Sequence, residues 1–285
     1  MKNDIAVVLT TFYPNKKNFN CISKICEQFS KVVIYDNSAS LKVKKNLLSL
    51  QSEYIHLEII FNSKNLGIAS SLNYGVMKLK KIYAWILFFD QDTLIADNLD
   101  VKIKEIIDNH TFDILGLNYQ YSKNLSNDES FLQSSNRTII SGMLVSSLVF
   151  NNLSFRNNFL LDLVDHDFCF RAKNIGLKIF KTKEPLIKHR IGNIRENKFL
   201  FMVKKRLNHN NFRYYLMARN KIWFDKLNKN HLRISTLRKL VFEFFLIMLF
   251  DKQVLKKLRA HFFGIYHGLS NKSHDLPSII KRFGL

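Results

Sequence analysis

Four short runs constrain this chain more than any other feature: IAVVLTTF (5–12), KVVIYDNS (31–38), LEIIFN (57–62) and WILFFD (85–90). They are β-branched and aromatic with little polar alternation, which suits strands buried on both faces, as in a parallel sheet. Between them, apolar residues recur at helical spacing: Phe19, Ile22, Ile25, Cys26 and Phe29 first, then segments 41–50 and 68–81. Strand and helix alternating at this rhythm predict a doubly wound α/β sheet with right-handed crossovers. Ligands of such sheets bind at the carboxyl ends of the strands. Three of these ends carry polar residues, Thr10-Thr11, Asp36-Asn37-Ser38 and Asp90-Gln91-Asp92, and are expected to converge on one crevice.

Further along, FDILGLNYQY (112–121) and RTIISGMLVSS (137–147) read as strands flanking the polar loop SKNLSNDES. Asp165 to Ile175 reads as a helix, and KIFKTKEPLIKHR as strand and loop. From about Phe199 the pattern turns helical and strongly basic. The expected division is a catalytic domain over 1–200 and a basic amphipathic helical region over 201–285, drawn from the charge shift alone.

That shift is steep. Residues 1–177 hold 19 Lys and Arg against 17 Asp and Glu, a net of +2, whereas residues 178–285 hold 25 against 6, a net of +19. A surplus of this kind predicts an anionic partner, either nucleic acid or an anionic membrane surface. The plain alternative is a basic surface that serves solubility. The three cysteines, Cys21, Cys26 and Cys169, lack zinc-type spacing and read as reduced thiols of a cytosolic protein. No signal peptide is expected, because only five apolar residues, Ile5 to Leu9, precede polar ones. Nor is a spanning helix expected, since the run Leu240 to Phe250 is interrupted by Glu243 and is too short.

Two acidic clusters carry potential chemistry. Asp90 and Asp92, one residue apart after a strand, are placed to share a hard divalent cation that keeps phosphate oxygens as further ligands. The alternative is that one of them caps the next turn. The second cluster, LLDLVDHDFCFRAKNIG, holds Asp162, Asp165, His166, Asp167 and Arg171. Asp167 and Arg171 are i,i+4 on a helix and read as a surface ion pair worth only tenths of a kcal/mol. Asp162 and Asp165 then remain as general-base candidates. The glycine turn in NSKNLGIASSLNYG (62–75) leads into a helix N-terminus, a setting for phosphate or ribose, but matches no dinucleotide or Walker fingerprint.

In order, the motifs VVLTTFYP, VVIYDNS, NLGIASSLNYG, FFDQD, SGMLVS, LDLVDHDFCFRAKNIG and KHRIG resemble the family 2 inverting glycosyltransferases, in particular the rhamnosyltransferase-like branch that builds bacterial O-antigens and capsules. The likeness covers roughly residues 5–193 and continues more weakly through NFRYYLMARN (211–220) and GIYHGLSNK (264–272). It implies a GT-A fold with a basic C-terminal helical extension. It also implies that Asp36 contacts the donor nucleotide, with Asn65 and Gly67 near it, and Thr10 is grouped with them. Asp90 and Asp92 would hold the ribose and a Mg²⁺ or Mn²⁺ on the diphosphate, approached by His189. Anchored on Arg171, the acidic motif places Asp165 as catalytic base and Asp167 at a second acidic position. Val164 stands where many relatives have Glu, which puts the acceptor contacts in question.

Gly142 reads as near the donor sugar or as a strand bulge. Asp162, Asp167, Arg171, Arg213 and Tyr214 are assigned to the sugar and acceptor side, against a structural helix face for Arg213, Tyr214, Tyr215 and Arg219. The aromatic, basic tail suits an interfacial helix. The run Leu240 to Phe250 has the alternative of burial against the catalytic domain or a dimer partner, so a homodimer is kept among the partners. The implied reaction moves rhamnose from dTDP-rhamnose onto a sugar on a polyprenyl pyrophosphate, on the cytoplasmic, inner face of the cell membrane. A UDP-hexose donor is the alternative within the fold. A non-enzymatic nucleic-acid binder is the alternative outside it, and it leaves both acidic clusters without purpose.

Overall fold

The first two apolar runs form β1 (Ile5–Thr11) and β2 (Val32–Asp36), buried at every position. The computed structural model describes residues 4–119, 131–189, 194–199, 202–207 and 209–270, with 194–199 and 202–207 described as backbone. β3 (Leu57–Phe61) and β4 (Trp85–Asp90) follow, and the four strands lie parallel in the order β3-β2-β1-β4. Their crossovers run through α1 (Lys16–Gln28), α2 (Leu41–Glu53) and α3 (Ile68–Leu79). Val7, Leu9, Leu87 and Phe89 join one core with Ile22 and Ile25 of α1 and Leu47 of α2. On the alternate positions, Phe88 stacks edge-on to Phe155, and Val8 meets α3 so closely that a Cβ on Gly75 would lie 2.6 Å from its Cγ1. With both faces covered, these strands need no polar alternation.

α1 begins on a reciprocal cap, in which Asn15 Oδ1 accepts from the N–H groups of Lys17 and Asn18, and Asn18 Oδ1 accepts from the Asn15 N–H. Caps of this kind contribute about 1 kcal/mol by satisfying otherwise orphaned donors.

The sheet continues through β5 (Leu94–Ile95), β6 (Ile114–Tyr119), β7 (Leu132–Ser134), β8 (Met143–Ser146) and β9 (Ile179–Lys188), with α4 (Leu99–Asn109) and α5 (Val164–Asn174) between them. Antiparallel β8 lies between β4 and β6; β9 runs parallel to β6 and pairs antiparallel with β5 and β7. The sheet is therefore mixed. The strand expected over 137–147 shrinks to four residues. Gly142 adopts φ +82° and gives its N–H to Phe88 O at 2.8 Å, so the chain enters the ladder only after it. The loop expected at 122–130 and the motif residues Arg190 to Gly192, Asn271 and Lys272 lie outside the described residues.

The chain divides into two units, Met1–Asn157 with Val164–His189, and Asn158–Leu163 with Arg190–Leu285. The second contains an antiparallel hairpin, β10 (Ile194–Phe199) and β11 (Met202–Leu207), then α6 (Asn211–Lys229), α7 (Ile234–Phe250) and α8 (Val254–Leu269). The helical pattern expected from Phe199 thus starts only at Asn211, because a stretch this short does not distinguish a period of 2 from one of 3.6.

α8 packs on α6 through two glycines. A Cβ at Gly264 would lie 2.3 Å from Tyr215 O, and one at Gly268 would lie 2.9 Å from Ile222 Cβ. Tyr215 Oη and His267 Nδ1 meet at 2.8 Å in the same seam. Arg219 is 1% exposed, lies 4.4 Å over the Trp223 ring and donates to Asn158 O and Asn220 Oδ1.

Candidate active site

The three polar strand ends do converge. Parallel registry sets Thr10 against both Tyr35 and Asp90, and Thr11 against Asp36. Asp36, 1% exposed, accepts hydrogen bonds on Oδ1 from Thr11 Oγ1 at 2.8 Å and Ser38 Oγ at 2.7 Å. Thr10 is itself almost buried. Next to them, Asn37 Oδ1 accepts from Asn62 Nδ2 and the Leu66 N–H, and Asn37 Nδ2 donates to Ser71 Oγ, tying the glycine turn to β2. Within that turn Asn65 Oδ1 accepts the Gly67 N–H at 2.9 Å, and Gly67 has φ +80°. No side chain at Gly67 caps the first turn of α3.

Gln91 had no role in the sequence reading, yet it fixes the carboxylates on either side of it. Its Oε1 accepts the Phe12 N–H at 2.8 Å and its Nε2 donates to Phe12 O at 3.2 Å, so the side chain extends the sheet beyond β1. Thr93 closes the turn with its N–H on Asp90 O at 3.1 Å. Its buried hydroxyl meets Ser141 Oγ and lies 3.4 Å from His189 Nδ1.

Asp90, Asp92 and His189 thereby form one cluster, with a ligand atom of each within 4.8 Å of the others. His189 Nε2 is 3.6 Å from Asp90 Oδ2, and His189 Nδ1 is 3.6 Å from Asp92 Oδ1. These spacings are too long for hydrogen bonds. They suit neighbouring ligand atoms around one divalent cation, with positions left for further oxygen ligands. The cluster is the one such group among the described residues.

Asp165 lies in the first turn of α5, its Oδ1 accepting the His166 N–H at 2.8 Å. Burial raises its pKa above the usual aspartate value, with the charges of His166 and Arg137 only partly offsetting this. Leu163, just before the helix, sits at φ +67°, a conformation that costs a non-glycine residue of order 1–2 kcal/mol. It starts α5 with the carboxylate in the first turn.

The depth of the Asp167–Arg171 pair differs from the expectation. The expected surface pair is buried: Asp167 is fully enclosed, with Arg156 Nη1 at 2.8 Å from Oδ1 and Arg171 Nε at 2.8 Å from Oδ2. Arg171 also donates to Ser154 O. Both are thereby tied into the fold of this unit. Tyr214 is buried, with its hydroxyl on Asp251 Oδ2 at 2.6 Å, as the alternative of a structural helix face has it. In the helical unit Asp162 Oδ1 pairs with Arg213 Nη2 at 2.8 Å, and Asp162 O accepts from Asn220 Nδ2 at 2.7 Å. Gly142 has space for no side chain, since a Cβ would lie 2.8 Å from Ile187 Cδ1 and 3.0 Å from Leu117 Cβ.

Residues 19–173 match the model of glycosyl transferase family 2. The chain belongs to that family. Over 94% of its length this glycosyltransferase is 28% identical to the dTDP-rhamnosyl transferase RfbF of Shigella flexneri, covering 96% of that protein. Its fold is GT-A. The mannosyltransferase PcManGT of Pyrobaculum calidifontis, solved with GDP-Man and Mn²⁺, superposes with a TM-score of 0.60 at 10% identity over 98% of this chain and 79% of that one. Residues 1–349 of TarS from S. aureus give 0.53 at 10% identity over 95% and 93%. Among the described residues, no helix is long and apolar enough to cross a membrane.

Proposed function

We propose that this glycosyltransferase moves rhamnose, with inversion, from dTDP-rhamnose to a sugar hydroxyl on a polyprenyl pyrophosphate at an anionic membrane face. The single observation that carries the donor is the near full-length likeness to the Shigella flexneri dTDP-rhamnosyl transferase. The cluster of Asp90, Asp92 and His189 supports a metal-assisted departure of the nucleotide. A divalent cation held there, Mg²⁺ or Mn²⁺, supplies charge neutralisation for the departing diphosphate.

The protein's own residues do the rest. Asp36, with Thr10, Asn65 and Gly67, forms the nucleotide side of the crevice, and Gly142, whose backbone N–H bonds to Phe88 O, lies towards the donor sugar. Asp165 accepts the proton of the acceptor hydroxyl, whose oxygen attacks the anomeric carbon opposite the diphosphate. The new glycosidic C–O bond forms as the old one breaks, its electron pair leaves on the diphosphate, and the configuration inverts. A carboxylate with a raised pKa is a stronger base than an ordinary aspartate, which suits a hydroxyl proton. Asp162 and Arg213, a charged pair within the helical unit, are assigned to binding the acceptor.

The decisive measurement is thermal stabilisation and nucleotide release with dTDP-rhamnose, UDP-hexoses and GDP-mannose, each with and without Mn²⁺. A metal-dependent shift and turnover confined to dTDP-rhamnose are expected. Turnover with a UDP-hexose alone overturns the donor assignment and leaves the chemistry intact.

A further inference from the structure

α7 is built inside out. The residues it buries are Thr236, Leu240, Glu243 and Ile247, at i, i+4, i+7 and i+11. The residues it turns outward include Leu237, Val241, Phe242, Phe245 and Met248, which are 44–58% exposed. A helix that needed only to cover its own unit would bury the phenylalanines and expose the glutamate. Here Glu243 is 7% exposed and held by Lys221.

The patch extends beyond one helix. Ring contacts run from Phe245 to Phe244 at 5.3 Å and from Phe244 to Phe262 of α8 at 5.7 Å, and Phe262 is again half exposed. Charge surrounds it with a single sign. Between Arg233 and Leu269 the acidic residues are Glu243 and Asp251; Asp251 is enclosed by Lys257 and Tyr214. Arg238, Lys239, Lys252, Lys256 and Arg259 face solvent.

We propose that the outward face of α7, continued by Phe262, inserts shallowly into an anionic lipid surface. This deepens the membrane-face part of the proposed function and rests on it for the location of the acceptor. Apolar rings flanked by cations match the acyl boundary and the anionic headgroups respectively. A second copy of the chain suits the face less well, because it would bring a like-charged rim against this one. At 17 residues α7 is short of a membrane span, so it lies along the surface.

The test uses the full chain and vesicles of phosphatidylcholine with or without phosphatidylglycerol. The wild type is expected to co-sediment with the anionic vesicles, less so at high salt, and hardly with phosphatidylcholine alone. Phe242→Ser with Phe245→Ser is expected to weaken that binding at least roughly tenfold with an unchanged melting temperature, since both side chains are half exposed. In Phe242→Trp, the indole emission is expected to shift to the blue on vesicles and to be quenched by brominated acyl chains.

Unchanged vesicle binding in the double variant overturns the proposal. So does a wild-type dimer by light scattering that the double variant makes monomeric. Transfer to a water-soluble acceptor analogue is expected to be equal in wild type and double variant. If no donor is turned over while vesicle binding depends on the two phenylalanines, the sugar-transfer reading fails and the docking surface stands.

Discussion

His189 Nε2 lies 3.6 Å from Asp90 Oδ2, although one residue follows the last strand of the sheet in sequence order and the other ends the fourth. Asp92 closes the triangle through the other ring nitrogen at 3.6 Å. Replacing Asp92 by Asn is expected to abolish Mn²⁺ stimulation and lower kcat/KM about 100-fold or more, since neutralisation of a leaving diphosphate is worth several kcal/mol. Calorimetric titration of Mn²⁺ into the variant checks this independently of turnover.

Asp165 predicts a pH profile. Burial raises its pKa, and as the proposed base it must be unprotonated to accept a proton. Activity is therefore expected to fall as pH drops through a value above the usual aspartate range. Asp165→Asn is expected to lower kcat about 10²- to 10⁴-fold and to remove that limb, with donor binding by thermal shift retained.

Asp167 predicts stability instead. Its carboxylate sits enclosed between Arg156 and Arg171, so Asp167→Asn leaves two cations without their counter-charge. A loss of roughly 3 kcal/mol in urea denaturation is expected.

Asp225 gives a stability effect with a defined pH sign. Burial alone would raise its pKa, but the hydrogen bonds and charge of Arg233, with Thr236, bring it below the usual aspartate value. A carboxylate depressed in the folded state contributes stability above its unfolded pKa and loses it as pH falls through the folded value. Asp225→Asn is expected to cost about 1–3 kcal/mol at neutral pH and to flatten the acid side of the stability profile.

Gln91 separates site geometry from stability. Both of its hydrogen bonds go to the Phe12 backbone at an exposed position. Gln91→Ala is expected to cost no more than about 1 kcal/mol of stability while weakening Mn²⁺ binding measurably, because the carboxylates beside it lose their fixed turn.

The α/β alternation was legible because strands buried on both faces must be apolar throughout, as β1 and β2 are. The meeting of Thr11, Asp36 and Asp90 was legible too, since parallel strands put their carboxyl ends on one edge. Gln91 and Thr93 were not. Nothing in the local pattern distinguishes a glutamine that clasps a neighbouring strand from one in solvent. Asp167 misled for the opposite reason: i,i+4 spacing gives the pair but not its depth, and depth turns tenths of a kcal/mol into several.

By itself the sequence determined the order of elements, the family motifs and the charge asymmetry, because these depend on residue type and local period. The tertiary structure alone decided which side chains are enclosed and which face out. That is how Tyr214 became core and Phe242 and Phe245 of α7 became surface: a helix period states that two faces differ, while only the packing of its neighbours states which one is covered.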